Sequence, residues 1–573
     1  MRGENDRRRL IQRQWGRRQA LGLSAAGMAA LGAACGGRRP QSGSPASSSA
    51  QGPSGSPVRG GTFTAFWNAN PPSLDPQFFT TGATTSFACA AMSSLLRFKL
   101  GADPQVGLNH DLENDLAVSV ESPDAATWSI KLRPDAKFHN IPPVNGHAIE
   151  AEDAKATYIR AVTSPQNPNR GGLNMVDPDK IETPTRDTIV FKLNFPYAPF
   201  PNLLASVQYG LTYPREVLTG GYDPSKQVIG SGPFVFDSYT PDVAVALKRN
   251  PDYYEKGLPY ADGVRHAVIT TTAQQIAQFT GGNLDTVRVP QNDLESTKSS
   301  NPKAREITVT SGGIGALYFQ LGDPASPFQD VRLRRAVSMA IDRAAIGKAV
   351  YDNKYDLNFS VLLSMGKWAL KLDQLDPSVQ EYYKFNLPEA KRLVQEAGGA
   401  NLNVKFAYPI GAFSPEGDTF AQTIYSMLSA LPWKITLVQL DYNKDFLAGG
   451  KGYNAGFFPA DTILWGGVNP FGEADQYLFG YYHSKSATNK EHLNDPAFDA
   501  LVDKARGTVD IEARRQAYLA AQKYLADKML SVMGLPAGFS HTLVQSGVQD
   551  FKYVPETNSS GRAWSSVWLR NQR

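Results

Sequence analysis

The stretch FQDVRLRRAVSMAIDRAAI (residues 328–346) predicts two short consecutive helices. Asp330 stands where a helix-capping residue is favoured, and Leu333 and Val337 repeat at the spacing of one helical face. Asp342 stands where a second cap would begin the next helix. The apolar spacing predicts that both helices pack against a hydrophobic core.

The chain on either side of this stretch alternates strand-type and helix-type segments without a fixed repeat. Hydrophobic alternation between turn residues predicts strands at Thr62–Trp67, Thr127–Leu132, Thr188–Leu193 and Val243–Leu247. Capping residues predict helices that begin after Asp495 and after Asp510. Such alternation is typical of α/β lobes and argues against a solenoid or a propeller.

Length and composition exclude several classes of protein. A chain of 573 residues is too long for one small core, so two or three packed lobes are expected. With 42% hydrophobic and 20% charged residues it is neither a polytopic membrane protein nor a disordered chain. Residues 1–34 contain a surplus of five positive charges, and the rest of the chain is therefore close to neutral and predicts no nucleic-acid partner.

The first residues have the pattern of an export leader. Basic residues up to Arg18 precede a short apolar run that ends at Cys35, and this predicts a signal peptide over residues 1–34. Arg17-Arg18 resembles a twin-arginine signal, and Leu31-Gly-Ala-Ala-Cys35 resembles a bacterial lipobox, although Gly32 stands where lipoboxes favour a large aliphatic residue. Cys35 is thus the expected lipid anchor; ordinary cleavage near Ala34 is the alternative.

A segment rich in glycine, serine and proline follows the cysteine. Residues 35–58 contain almost no apolar side chain, so they cannot bury enough surface to fold. This composition predicts a flexible tether between the anchor and the folded body.

Several segments in a fixed order resemble the family 5 extracellular solute-binding proteins, a group that includes dipeptide, oligopeptide and nickel receptors. The segments that carry the resemblance are GGTFTAFWNANPPSLDP (residues 60–76), TWSIKLRPDAKFHN (127–140), AEDAKATYIRA (151–161), IGSGPFVF (229–236), FQDVRLRRAVSMAIDR (328–343) and NDPAFDALVDKAR (494–506). Together they span nearly all of the chain after the tether.

The resemblance implies a two-lobed α/β fold of the periplasmic-binding-protein type II, with an inserted extra domain and a hinged ligand cleft. Lobe I is expected to comprise residues 59–100, 216–312 and 540–573, the insert 101–215, and lobe II 313–539. The chain would then cross the hinge near residues 316–321 and 532–539.

The resemblance also implies a function: an extracytoplasmic substrate-binding lipoprotein of an ABC importer. It would capture a peptide-like or other small polar solute and deliver it to membrane permease subunits served by a separate ATPase. The expected protein is a monomer on the extracytoplasmic face of the bacterial cell membrane, with no cofactor, no metal and no catalytic residue. Its histidines form no HExxH pattern, and there is no GxSxG nucleophile motif. An exported lipoprotein hydrolase with an unrecognised site is the alternative.

In peptide-binding relatives, one segment of lobe II supplies a tryptophan and a nearby aspartate that pairs with the peptide ammonium group. The matching residues here are Trp465, Gly466, Gly467, Val468 and Asn469, with Val468 in the place of the aspartate. A valine cannot make a charge-assisted hydrogen bond, so the ligand is expected to lack a free amine there, as a sugar or a capped peptide does.

Other residues are candidates with open alternatives. Asp461, Glu473 or Asp475 would be alternative carboxylates if the loop were shifted, and Trp465 could instead be a core residue. In lobe I the resemblance points to Thr80, Thr81 and Gly82 as ligand contacts; a plain turn is the other interpretation.

Overall fold

A computed structural model of the protein describes residues 55–79, 81–100, 108–167, 169–310, 314–411, 416–448, 451–468, 473–486, 488–553 and 560–570. The leader, Cys35 and most of the tether lie outside the described residues. Within the part of the chain that is described, no helix has the length and apolar character needed to cross a membrane.

The N-terminal part of the fold contains twelve strands and six α-helices among the described residues. The strands are β1 (Thr62–Trp67), β2 (Leu96–Leu100), β3 (Leu108–Asn114), β4 (Ala117–Glu121), β5 (Thr127–Leu132), β6 (Ile181–Thr185), β7 (Thr188–Lys192), β8 (Phe234–Thr240), β9 (Ala244–Arg249), β10 (Gly263–Val268), β11 (Thr286–Val289) and β12 (Arg305–Thr310). The helices are α1 (Gly82–Ala91), α2 (Ala151–Thr163), α3 (Phe200–Ala205), α4 (Glu216–Thr219), α5 (Thr272–Thr280) and α6 (Gln291–Ser300).

The remaining elements follow in the second half of the chain. The strands are β13 (Ile314–Tyr318), β14 (Tyr355–Asn358), β15 (Asn403–Pro409), β16 (Lys434–Leu440), β17 (Thr462–Val468), β18 (Leu535–Val544), β19 (Val548–Gln549) and β20 (Trp568–Leu569). The helices are α7 (Val331–Ala340), α8 (Arg343–Tyr351), α9 (Pro377–Gln380), α10 (Leu387–Glu396), α11 (Gly417–Leu428), α12 (Ala474–Tyr482), α13 (Pro496–Gly507), α14 (Ile511–Asp527) and α15 (Ser560–Ala563).

The structure confirms the helix starts predicted from capping residues. The Asp330 carboxylate accepts the Arg332 amide at 2.9 Å, and Asp342 accepts the Ala345 amide at 2.9 Å. Asp495 and Asp510 cap α13 and α14 in the same way. The four predicted strands are β1, β5, β7 and β9, with differences of one or two residues at the ends of the last two.

The first lobe is built on two four-stranded sheets and carries a small domain. One sheet has the order β1-β10-β9-β8, with β1 and β10 parallel; in the other, β18 lies between β11 and β12 and also pairs with β14. The small domain consists of the sheet β4-β5-β7-β6 with α2 and α3. Its buried residues belong to the same hydrophobic core as those of β1, β8 and β9, so it is packed firmly on the first lobe.

An ion pair and a tyrosine hydroxyl fix the small domain to the segment after β1. Asp75 is 2% exposed; it pairs with Arg160 of α2 and accepts the Tyr213 hydroxyl at 2.7 Å. A buried carboxylate needs such partners because it has lost its hydration. The SLDP motif therefore contributes a structural anchor.

The second lobe has a sheet of its own with the order β13-β17-β15-β16. Strands β15, β16 and β17 run parallel, and β13 runs antiparallel to β17. Their carboxyl ends, at Pro409, Leu440 and Val468, therefore meet at one edge of the sheet. We call this the carboxyl edge of the second lobe. A separate hydrophobic core, formed by residues from Ala316 to Leu535, surrounds this sheet.

Two neighbouring stretches of chain connect the cores. One runs from Thr310, which is paired with Phe539, to Ile314, which is paired with Val468. The other runs through β18, which pairs with β14 up to Gly538 and with β12 from Phe539 onwards. Just outside these stretches, reciprocal backbone hydrogen bonds of 2.9 and 3.0 Å between Leu317 and Val532 hold their second-lobe ends side by side.

A buried histidine makes the stability of the first lobe depend on pH. His266 is 4% exposed, and burial lowers its pKa from 6.5 to about 3. Between these values the unfolded chain binds a proton that the folded chain does not, so the free energy of unfolding falls as the pH falls. Relative to His266→Phe, the wild type should lose about 1.4 kcal/mol per pH unit between pH ~6 and ~3.5.

Urea titrations over that pH range, followed by circular dichroism, would measure the effect. Groups that both proteins share contribute equally to the pH dependence of each, so their contribution cancels in the comparison. Glu473, whose pKa is shifted in the opposite sense, is one of these groups. His147→Phe is the control, because that side chain is a quarter exposed. Parallel pH profiles for wild type and His266→Phe would contradict the prediction.

Candidate ligand-binding site

Trp465 lies on β17, three residues before the carboxyl edge of the second lobe. Its side chain is 4% exposed and packs on Phe420 of α11, with ring centroids 5.5 Å apart. The indole also lies over Gly315 of the neighbouring strand, where a Cβ atom would approach the indole nitrogen to 2.8 Å. Trp465 and Phe420 thus form an aromatic layer near this edge, and a side chain at position 315 would collide with it.

Gly466 and Gly467 continue the strand toward the edge. A Cβ atom at Gly466 would meet Tyr318 at 3.4 Å and Phe446 at 3.8 Å, so aromatic rings cover this face of the strand. The carbonyl of Gly467 accepts a hydrogen bond from the Lys490 ammonium at 2.9 Å. Lys490 therefore fixes the orientation of the Gly467 carbonyl near the end of β17.

Lys490 is itself enclosed by aromatic side chains. It is 2% exposed, and its ammonium lies 4.8 Å from the ring centroid of Tyr318 and 5.0 Å from that of Tyr481. Burial lowers its pKa to about 7, against the opposing effect of Glu491. Ring faces partly replace the hydration of such a cation.

The structure brings Trp465, Gly466 and Gly467 together but separates Asp461 from them. Val468 ends β17, and Asn469 lies outside the described residues. Asp461 precedes the first residue of the same strand and forms an ion pair with Lys405 at 3.1 Å. Since a strand rises about 3.3 Å per residue, Asp461 lies roughly 20 Å from the carboxyl edge.

In the first lobe, Thr81 and Gly82 open helix α1, while Thr80 lies outside the described residues. The Thr81 side chain caps the helix by accepting the Thr84 amide at 3.4 Å. A Cβ atom at Gly82 would come within 2.4 Å of the Trp67 ring. Glycine at this position therefore makes room for a tryptophan of the protein itself.

Trp67 is a candidate that sequence reasoning missed. It ends β1 at the carboxyl edge of the parallel pair β1 and β10, is half-buried, and donates its indole N–H to Ser86 at 2.6 Å. Ligands of open α/β sheets bind beyond the carboxyl ends of strands. The sequence did contain a signal for Trp67, since it is an aromatic residue at the end of the predicted first strand.

Two carboxylates begin helix α12, shortly after the carboxyl edge. Asp475 accepts the Tyr197 hydroxyl at 2.8 Å and the Tyr518 hydroxyl at 3.2 Å, and lies 3.3 Å from the Arg506 guanidinium. Glu473 is 2% exposed, and its Oε1 atom has no hydrogen-bond partner among the described residues. Burial raises the pKa of Glu473 to about 7, with Arg514 acting in the opposite direction.

One further group among the described residues has the composition of a cation site. Ligand atoms of His147, Asp153 and Glu216 lie within 4.8 Å of one another. However, the Asp153 carboxylate accepts the amides of Glu150 and Arg215 at 2.8 and 3.0 Å and lies 3.3 Å from the Arg215 guanidinium. We interpret the group as an ion-pair network that caps α2.

A family model described as "Bacterial extracellular solute-binding proteins, family 5 Middle" matches residues 111–489. A protein named for a peptide-binding role in an ABC transporter of Brucella ovis is 30% identical over 313 residues. That alignment covers 52% of this chain and 55% of the relative, so the chain spans about half the length of the Brucella relatives it matches.

Two further similarities extend over more of the chain. Di/tripeptide-binding protein 2 of Pseudomonas aeruginosa is 23% identical over 496 residues, which is 82% of this chain and 88% of that protein. The crystal structure of the ABC transporter substrate-binding protein CtaP from Listeria monocytogenes has a TM-score of 0.74 at 22% identity, and covers 90% of this chain and 100% of that chain.

The structural likeness confirms the two-lobed type II α/β fold expected from the sequence. The family model covers more than half of the chain. The protein therefore belongs to the bacterial extracellular solute-binding proteins, family 5.

Proposed function

We propose that this protein is the substrate-binding lipoprotein of an ABC importer and captures a peptide-like or other small polar solute by closure of its two lobes. The observation that carries the proposal is that the chain passes twice between two separately cored lobes, once after Thr310 and before Ile314, and once within β18 at residues 535–539. Two neighbouring connections allow one lobe to rotate relative to the other without breaking either core. The proposed lobe limits are residues 59–100, 216–312 and 540–573 for lobe I, 101–215 for the inserted domain, and 313–539 for lobe II.

The proposed ligand-binding residues come from both lobes. They are Trp465, Gly466, Gly467, Val468 and Asn469 of the second lobe, and Thr80, Thr81, Gly82 and Trp67 of the first. Thr80 and Asn469 lie outside the described residues. Asp461 is left out of the proposal because it stands at the other end of β17. The names of the Brucella and Pseudomonas relatives favour peptides as the first ligands to test.

The proposed location is the extracytoplasmic face of the cell membrane. Cys35 would be acylated, and residues 35–58 would allow the body to reach the permease subunits at high effective concentration. ATP hydrolysis would belong to a separate subunit, and the binding protein would act as a monomer without cofactor or metal.

A thermal-shift screen would test the proposal. The purified protein is titrated with di- to octapeptides, including N-acetylated ones, with oligosaccharides and with divalent metal ions. A ligand that binds only the folded state stabilises it by about 2.7 kcal/mol at a hundred times its Kd, so the unfolding temperature should rise steadily with ligand concentration.

Chromatography of the ligand after incubation separates binding from hydrolysis. A solute receptor should return its ligand chemically intact and in stoichiometric amount. Recovery of cleaved ligand would instead support the exported hydrolase, and the absence of a shift with any of the three classes would contradict the proposed ligand range.

A further inference from the structure

The small domain of the first lobe makes a polar contact with the second lobe. The Tyr197 hydroxyl donates to Asp475 Oδ2 at 2.8 Å. The Ala198 amide donates to the Arg506 carbonyl at 2.7 Å, and Arg514 Nη1 donates to the Ala198 carbonyl at 3.0 Å. We call these five residues the clasp.

The clasp is almost completely shielded from water. Tyr197 is 2% exposed, Asp475 3%, Arg514 6% and Arg506 9%. The Arg506 guanidinium lies 3.8 Å from the ring centroid of Phe479 and 5.0 Å from that of Tyr197, which belong to different lobes. A hydrogen bond to a charged group in such surroundings is stronger than the same bond in water.

The position of the clasp relates it to lobe movement. Asp475 lies in the first turn of α12, the helix that follows β17 in the chain. The chain crosses between the lobes elsewhere, at residues 310–314 and 535–539. Separation of the lobes about those crossings would break the clasp and expose Asp475 and Arg506.

We propose that the clasp sets the equilibrium between closed and open lobes, so that Tyr197 is a positioning residue that raises ligand affinity without touching the ligand. This inference rests on the hinged capture proposed above. If only the closed state binds ligand tightly, the apparent affinity is the affinity of the closed state multiplied by the fraction of molecules that are closed. Loss of the Tyr197 hydroxyl should lower the closed-to-open ratio about tenfold or more.

Hydrogen exchange of the ligand-free full chain measures this ratio directly. The Ala198 amide is bonded to Arg506 across the lobes, so its exchange rate reports how often the clasp opens. In Tyr197→Phe this amide should exchange about tenfold faster than in the wild type. Tyr518→Phe is the matched control, because it removes a hydroxyl from the same carboxylate but within the second lobe, and should leave the rate unchanged.

Small-angle X-ray scattering of the double variant Tyr197→Phe, Arg506→Lys distinguishes lobe opening from local fraying. Opening should raise the radius of gyration of the ligand-free protein, whereas fraying of residues 195–200 should not. Equal exchange rates in Tyr197→Phe and Tyr518→Phe, or faster exchange with an unchanged radius, would overturn the inference.

A second control addresses folding of the small domain. Tyr158→Phe removes a buried hydroxyl that has no hydrogen-bond partner among the described side chains, so it should match the wild type. Neither readout requires a ligand. A failed ligand screen with a positive clasp result would therefore refute the proposed ligand range and leave the clasp intact.

Discussion

Replacement of Arg343 by methionine is expected to lower the unfolding temperature of the second lobe by roughly 10 °C. Arg343 is 6% exposed, and its guanidinium donates to the carbonyls of Gly534, at 2.7 Å, and Met533, at 3.3 Å. It also donates to Ser338 and Tyr383. This one side chain thus ties α8 to the segment that returns toward the first lobe.

The expected loss is large because carbonyl groups would remain buried without donors. Burial lowers the pKa of Arg343 to about 10, so the guanidinium stays charged at neutral pH and its hydrogen bonds are charge-assisted. Buried acceptors that lose their donors cost about 1–3 kcal/mol each, and removal of a desolvated charge offsets part of this. We expect a net loss of about 3–5 kcal/mol in the free energy of unfolding.

Arg332→Met is the matched control for this prediction. Arg332 lies one helix earlier, is 45% exposed, and pairs with Asp330. Exposed pairs contribute at most about 1 kcal/mol, so its unfolding temperature should change by only a few degrees. Differential scanning calorimetry would compare the two variants, and similar transitions in both would show that Arg343 does not hold the return segment.

Replacement of Trp465 by alanine should weaken ligand binding at least thirtyfold, which corresponds to about 2 kcal/mol. The indole packs on Phe420 and lies beside Gly315, three residues before the carboxyl edge. Its loss would remove both a contact surface for the ligand and the support for the neighbouring strand end. Isothermal titration with the ligand selected by the thermal-shift screen would measure the change.

Core packing is the competing role, since Trp465 is 4% exposed. Truncation of a buried tryptophan costs about 3–5 kcal/mol of stability whatever its function, so binding must be measured well below the unfolding temperature. Trp433→Ala is the matched control: Trp433 is 8% exposed in the same core, immediately before the first residue of β16 and thus at the opposite end of the sheet. Equal affinity losses in both variants would assign Trp465 to packing alone.

Local features of the fold could be predicted because they depend on neighbouring residues. Asp330, Asp342, Asp495 and Asp510 each begin a helix as predicted, since a cap needs only the amides two or three residues ahead. The predicted ends of β7 and β9 differ from the observed ends by one or two residues, because strand ends are set by pairing partners that the local pattern does not specify.

The candidate site was predictable only in part. The resemblance predicted Trp465 and the two glycines after it, and the structure places them near one strand end; their contact with a ligand stays a prediction. Trp67 was missed, because its proximity to Gly82 and Ser86 depends on how α1 folds back on β1. Asp461 was a candidate on the assumption of a shifted loop, yet it stands before the first residue of β17, at the opposite end of this strand from Val468.

The sequence by itself determined the α/β class, the helix starts and the family, because each depends on composition or on residues close together in the chain; the export-type leader stays a prediction. Only the tertiary structure decided the separate cores, the crossings beside Leu317 and Val532, and the pairing of Tyr197 with Asp475. These features join residues that lie hundreds of positions apart. Such contacts form only when packing has fixed the lobes, and no local pattern encodes which distant partner a buried polar group will find.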